Sequence, residues 1–378
     1  DIRKINEEAD YCKMNYKLKW ELPHDATTCL GWLLAMRGVE DIEGYVYPSK
    51  DYEIDPLKLD NIEEAAKLLY KHLEADSSIL IVQDADTDGI CSAAMTWLYI
   101  KDFYPNAKLE YVCHEHKAHG LDDIIDEVEE SDYNLIILPD ASSFDIEEHK
   151  RLNAVGKDIL VLDHHDAECY SPYAVVVNNQ LSKNYSNKSF CGAGIVYKFL
   201  MVMDRVLNKP GHCENYMDLC ALANVADCMS MKHPETRYYI MEGLKRVRNE
   251  GLKAFISQQS FSLFKETKDL GYINVAFYIV PLLNAVVRVG TMEEKRLLFE
   301  AFINPNKLIQ TDKRGSKPGD MEKVSVEMAR RASNARNRQN RIKEKATELL
   351  DMRLHKYELL YELLLFLTFL PESYLKVL

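Results

Sequence analysis

The sequence has no long apolar run. Its uninterrupted ones are a handful of residues, such as Leu363 to Leu367, far short of the roughly 20 that a helix needs to cross a bilayer, so no membrane span is expected. Asp1 to Asp10 is charged and lacks the apolar stretch of a secretory leader, which makes the cytoplasm the expected compartment. Paired Cys-x-x-Cys spacing is missing as well. The nine cysteines (Cys12, Cys29, Cys91, Cys113, Cys169, Cys191, Cys213, Cys220 and Cys228) form an odd set, against a disulfide framework and against a ribbon-type zinc site. There is no internal repeat and no low-complexity tract. Positive charge is scarce: the formal net charge is −13, which counts against a nucleic-acid partner because neutralising phosphates takes Lys and Arg. The shortage is uneven, however. Lys313 to Lys345 holds eleven Lys or Arg against four Asp or Glu.

What is present suits a globular α/β protein. With 378 residues, 47% of them hydrophobic, the chain can bury a core and is long enough for two domains, or for one large domain with an appendage. From Ser78 onward, short β-rich runs (Ile79 to Gln83, Leu109 to Cys113, Leu135 to Leu138, Ile159 to Leu162, Ala174 to Val177) are separated by helical stretches. These are Ser92 to Asp102, Leu121 to Glu130, Asp145 to Val155, Ala193 to Val206 and Tyr216 to Val225. Each strand is apolar throughout rather than alternating, the pattern of an open, mainly parallel sheet with helices on both faces. Ligands of such folds bind beyond the carboxyl ends of the strands. Residues 1–75 read as a helical N-terminal region. Arg314 to Gly319 is a breaker cluster, followed by a long helical pattern with a thin stripe: Met321, Val324, Met328, Ala332, Ala335, Ile342, Ala346 and Leu349. So thin a stripe predicts a helix that crosses between bodies.

Polar residues at the strand ends carry the chemistry. Asp84-Ala-Asp86-Thr-Asp88-Gly89 follows the first strand, and carboxylates so close repel unless something compensates, which a divalent cation does. The same letters open a calcium loop or serve as helix N-capping acids. A calcium loop needs a Glu at its twelfth position, which is Met95 here. The third strand ends in Pro139-Asp140, the fourth in Asp163-His164-His165, and a helical stretch ends at Asp227. Oxygen and imidazole ligands of this kind suit manganese or magnesium. The cluster Cys113-His114-Glu115-His116 with His119 is too tightly spaced to converge on a tetrahedral zinc. Gly192 and Gly194 open a helix whose free N–H groups fit phosphate, or simply allow tight packing. Arg330, Arg331, Arg338 and Arg341 line a basic helix, either a channel for a nucleic-acid backbone or a solvated face.

Over residues 30 to 350 these motifs, in this order, resemble the DHH phosphoesterases, and among them the RecJ single-strand exonucleases. The resemblance also includes Leu33 to Gly38, Cys191 to Gly194, Asn284-Ala-Val-Val-Arg288 and Asn334 to Ile342. It implies two ions, Mn2+ or Mg2+, one held by Asp84, Asp86 and Asp140 and the other by Asp88, Asp140, His164 and Asp227, with Asp140 bridging. It further implies that His165 touches the scissile phosphate or protonates the leaving oxygen while Asp163 orients a histidine. Substrate contacts are expected from His114, Gly192, Gly194, Asn284, Arg288 and Arg338, with His114 standing where the family has an arginine.

The implied domains are a helical region 1–75, a DHH catalytic α/β domain 76–310, a basic connecting helix 311–353 and a remnant 354–378. The family's second domain, with its Gly-Gly-His segment, is not found in that remnant. The implied activity is 5′ to 3′ hydrolysis of single-stranded DNA to mononucleotides, in recombination or repair, by a two-metal phosphodiesterase. A DHH phosphodiesterase of short oligonucleotides or cyclic dinucleotides, and an inactive scaffold that binds nucleic acid or protein, are the alternatives. Single-stranded DNA is the expected partner, with protein partners of repair or replication left open.

Overall fold

The computed structural model describes residues 26–115, 119–263 and 269–357. The expectations for residues 1–25, for His116 and for residues 358–378 lie outside those residues. Each apolar run forms a strand: β1 (Ile79–Gln83), β2 (Leu109–Cys113), β3 (Leu135–Pro139), β4 (Asp158–Asp163) and β5 (Val175–Asn178). They make one parallel sheet in the order β2-β1-β3-β4-β5. The continuous apolar pattern is explained by burial on two faces. Ile79, Ile81, Leu135, Ile137, Leu160 and Leu162 enter the main core, while Leu80, Val82, Ile136, Leu138, Ile159 and Val161 enter a smaller one on the opposite side. The main core is closed by α3 (Ile62–Glu74), α4 (Thr87–Phe103) and α7 (Gly192–Val206), the smaller one by α5 (Ile125–Glu130) and α6 (Ile146–Ala154). Two further helices, α1 (Ala26–Met36) and α2 (Ile42–Val46), precede α3.

Strand order reverses at β1. The chain steps outward to β2 and then returns to the other side of β1 as β3. Connections leave the sheet in opposite directions there, opening a crevice beyond the carboxyl ends of β1 and β3. Asp84 and Asp140 are the first residues past those two ends.

After the sheet come α8 (Met217–Ala226), α9 (Pro234–Lys245), α10 (Glu250–Gln258), α11 (Ser260–Leu263), α12 (Tyr272–Val289) and α13 (Met292–Ile303). A hairpin of β6 (Leu308–Gln310) and β7 (Met321–Lys323) leads into α14 (Val324–Tyr357), and the breaker cluster forms the hairpin's tip. The thin stripe does not keep the first turns of this helix out of the core. Met328, Ala329, Ala332 and Ala335 are at most 1% exposed and belong to the main core. Small side chains let α14 lie close against its neighbours α10, α12 and α13, so the stripe is narrow because packing is tight. Met321 stands apart from the stripe, exposed on β7.

Among the described residues, one helix is long and apolar enough to cross a membrane: α12, with mean hydropathy 1.6 over Tyr272–Val289. Counting uninterrupted runs missed it because Asn274, Asn284 and Arg288 break the run. Its inner side, Val275, Ile279, Leu283 and Val286, is fully buried in the main core.

Candidate metal centre

Asp84, Asp86 and Asp88 are carried by the turn from β1 into α4. Asp86 caps the helix, accepting from Gly89 N at 2.9 Å, so the run of acids starts α4 at Thr87 rather than at Ser92. Asp88 is drawn across to another helix. Its two oxygens accept from Gly192 N and Ala193 N, both at 2.8 Å, and the exposed N–H groups and positive dipole end of α7 favour an anion there. Asp140 enters from β3 in the left-handed region (φ 77), with its own N–H on Leu162 O at 2.8 Å. His164 follows β4, and Asp227 ends α8.

These side chains converge. His164 Nε2 lies 3.2 Å from Asp140 Oδ1, 3.7 Å from Asp227 Oδ2 and 3.8 Å from Asp88 Oδ2. Candidate ligand atoms of Asp84, Asp86 and Asp140 lie within 4.8 Å of one another, as do those of Asp88, His164 and Asp227. Asp84, Asp88 and Asp140 are at most 2% exposed, and Asp140 Oδ1 has no hydrogen-bond partner. Such crowding is expensive for anions. Burial, with Asp84 and Asp88 beside it, pushes Asp86 up to about 7. Burial and then Asp88 push both Asp140 and Asp227 above the ordinary carboxylate range, Asp140 far above it. A buried, unpartnered carboxylate oxygen among oxygen donors and one imidazole fits a hard divalent cation, whose charge offsets that repulsion.

The histidine turn is held from behind. Asp163 is fully buried and accepts from His164 N at 2.7 Å, Ser143 N at 3.0 Å and His165 Nδ1 at 2.8 Å. Burial alone would raise its pKa, but the hydrogen bond and charge of His165 hold it below the usual range. In return, the hydrogen bond to Asp163 pushes His165 up to about 9. Asn178 donates to His165 O at 2.9 Å and Gln180 to His164 O at 3.2 Å. His165 and Asp227 are partly exposed, so the cluster opens on their side.

Residues 78–224 match the family model described as DHH family, N-terminal domain. The putative SPbeta prophage-derived single-strand DNA-specific exonuclease YorK of Bacillus subtilis is 38% identical over 318 residues, covering 84% of this chain and 54% of that protein. The chain thus carries a DHH family domain and is similar to the RecJ-like exonucleases. Single-stranded-DNA-specific exonuclease RecJ of Escherichia coli is 25% identical over 314 residues, 77% of this chain and 50% of that one. The DHH chain thus spans about half the length of these curated relatives. RecJ of Thermus thermophilus in complex with Mn2+ shares the fold, with a TM-score of 0.62 at 22% identity over 78% of this chain and 40% of that chain.

Within this DHH chain the expected substrate contacts divide. Asn284 accepts from Thr87 Oγ1 at 2.7 Å, beside the acidic turn, and Arg288 is exposed one helical turn further on. His114 is corrected: it is 2% exposed, with Nδ1 2.6 Å from Asp123 Oδ1, and so faces the protein. Gly192 and Gly194 are corrected too. The N–H group of Gly192 is taken by Asp88, and a Cβ on Gly192 would come 2.2 Å from Asp140 Oδ1, while one on Gly194 would come 2.7 Å from the Phe190 ring. Both glycines serve close packing. Arg338 is engaged with Glu294 at 2.6 Å, tying α14 to α13. Cys113, His114 and His119 turn to Gln83, Asp123 and Asp84 respectively, three separate partners. Sequence reasoning missed Asn178 and Gln180 as supports of the histidine turn, and His119 beside Asp84, because no local spacing announces contacts across 13, 16 and 35 residues.

Proposed function

We propose that this protein is a cytoplasmic, metal-dependent exonuclease of single-stranded DNA, acting 5′ to 3′ to release mononucleotides in recombination or repair. The observation that carries the reading is the convergence of buried carboxylates and His164 at the sheet's crevice, around an Asp140 oxygen that accepts no hydrogen bond and lies 3.2 Å from His164 Nε2. Asp84, Asp86 and Asp140 hold one ion and Asp88, Asp140, His164 and Asp227 the other, with Asp140 common to both. Two Mn2+ or Mg2+ ions supply Lewis-acid activation of a water and neutralise charge on the phosphoryl oxygens. His165, whose Nδ1 donates to Asp163, faces the opening, where it donates to the scissile phosphate or to the leaving oxygen. Asn284 steadies the acidic turn through Thr87, and Arg288 meets the backbone of the strand. Names borne by the relatives, single-strand DNA-specific exonucleases, support this substrate.

In domain terms, residues 76–310 are the catalytic unit, preceded by the helical region 1–75. The segment 311–353 carries the connecting helix, followed by 354–378.

The test is hydrolysis of an end-labelled single-stranded DNA of about 40 nucleotides with Mn2+, by the native chain and by Asp140→Ala, which removes the ligand common to both ions. Stepwise release of mononucleotides from the 5′ end, lost by at least about a hundredfold in the variant, is expected. Cleavage of dinucleotides alone would replace DNA by a small substrate. Binding of DNA without turnover of either would mark a scaffold.

A further inference from the structure

The loop after β2 brings one more imidazole to the carboxylates. His119 Nδ1 stands 3.0 Å from both Oδ1 and Oδ2 of Asp84. An ionised carboxylate only accepts, so Nδ1 carries the proton and sits on the edge between the two oxygens. That edge is the one a cation uses when a carboxylate binds it through both oxygens at once. We propose that His119 is a positioning residue for the Asp84–Asp86–Asp140 metal position, occupying the inner edge of Asp84 so that this carboxylate offers a cation one oxygen only. The consequence is selectivity. Ca2+ takes about six to eight oxygens and readily uses bidentate carboxylates, whereas Mg2+ demands near-octahedral, one-oxygen ligation, a geometry shared by Mn2+. This inference rests on reading the carboxylate cluster as a metal centre.

The imidazole is mounted on a fixed support. Gly120 follows it in the left-handed region (φ 61), where a Cβ would come 2.3 Å from Asp145 Oδ2. Leu121 N donates to the same Asp145 oxygen at 3.3 Å, and the Leu121 side chain is fully buried in the smaller core. Ser142, two residues beyond Asp140, also donates to Asp145. The strand end that bears Asp140 therefore bears the anchor that aims His119 at Asp84. At the start of the loop, Lys295 Nζ donates to the carbonyls of Glu115 at 2.6 Å and His114 at 3.4 Å. His119 itself is 40% exposed, so replacing it leaves the core intact.

The experiment is calorimetric titration of the full chain, stripped of metal and without DNA, with Mn2+ and separately with Ca2+. Removing a group that orients a metal ligand costs about 10–100-fold in affinity, and His119→Ala is expected to lose Mn2+ affinity by that factor. Ca2+ affinity should hold or rise, so the Mn2+/Ca2+ ratio falls at least about tenfold. His119→Asn places an amide N–H near the position of Nδ1 and is expected to keep the ratio within about threefold. An unchanged ratio in His119→Ala overturns the inference. So does His119→Asn behaving like His119→Ala, the result for an imidazole that ligates the ion directly. If the native chain binds neither ion, the metal reading itself falls; native binding left unaltered by His119→Ala removes only the role of His119.

Discussion

A single hydrogen atom at position 192 decides how near Asp140 can stand to α7. A Cβ there would meet Asp140 Oδ1 at 2.2 Å and its Cβ at 2.6 Å, with no room for the carboxylate to retreat because it is 1% exposed. Gly192→Ala is expected to destabilise the fold by about 1–3 kcal/mol, as over-packing does. It should also lower Mn2+ affinity by at least about tenfold, since Asp140, proposed above as common to both ions, must move. Urea midpoints and calorimetric titration of the variant check the two effects separately. The gathering of the motif's acids was legible because charge density at a strand end is a local property of the sequence. That Asp86 is also a helix cap, and that Asp88 is held by α7 more than 100 residues away, was not legible. A motif states which groups are neighbours along the chain and not which N–H groups will face them.

Helix α14 shows the same division at the scale of an element. Its basic character is plain in the sequence, yet packing treats Arg330, Arg331 and Arg338 differently from Arg341. Arg330 and Arg331 both reach Glu327, which is 1% exposed, and Arg338 reaches Glu294. Arg341 is exposed, with no carboxylate partner among the described residues. The three paired arginines hold α14 in place, whereas Arg341 is free to exchange counterions with a phosphate backbone. Arg341→Ala is therefore expected to weaken single-stranded DNA binding in the presence of EDTA, and to reduce the slope of log K against log salt by about 0.7, the value for one phosphate contact on a single strand. Arg330→Ala is expected to leave that slope unchanged and to lower the urea midpoint, because Glu327 then loses one of its two arginine partners in a buried setting. Fluorescence anisotropy across a salt series separates the two. That the first turns of α14 sit in the core was not legible for a physical reason: alanines on a helix signal either little packing or very close packing, and only the neighbouring helices tell which.

For the molecule as a whole, folding assembles the centre from β1, β3, β4, α7 and α8, so cation binding and global stability are linked. The unfolded chain scatters these carboxylates and has no comparable site. Mn2+ at about 100 times its Kd is expected to stabilise the fold by about 2.7 kcal/mol, with a rise in Tm that EDTA reverses and that shrinks sharply in Asp140→Ala. Differential scanning calorimetry with and without Mn2+ reads this directly. Long-range closure of this kind also marks the limit of what the chain's order of residues can say. By itself the sequence determined the five strands, the parallel α/β class, the placing of acids and histidines after strands, and the family, because apolar periodicity and motif spacing are properties of short segments. Only the tertiary structure decided the strand order and its reversal at β1, the burial of His114, the pairing of Arg338, the approach of Gly192 to Asp140 and of His119 to Asp84. Each of these depends on which distant surfaces share a core, and that is set by packing the whole chain at once.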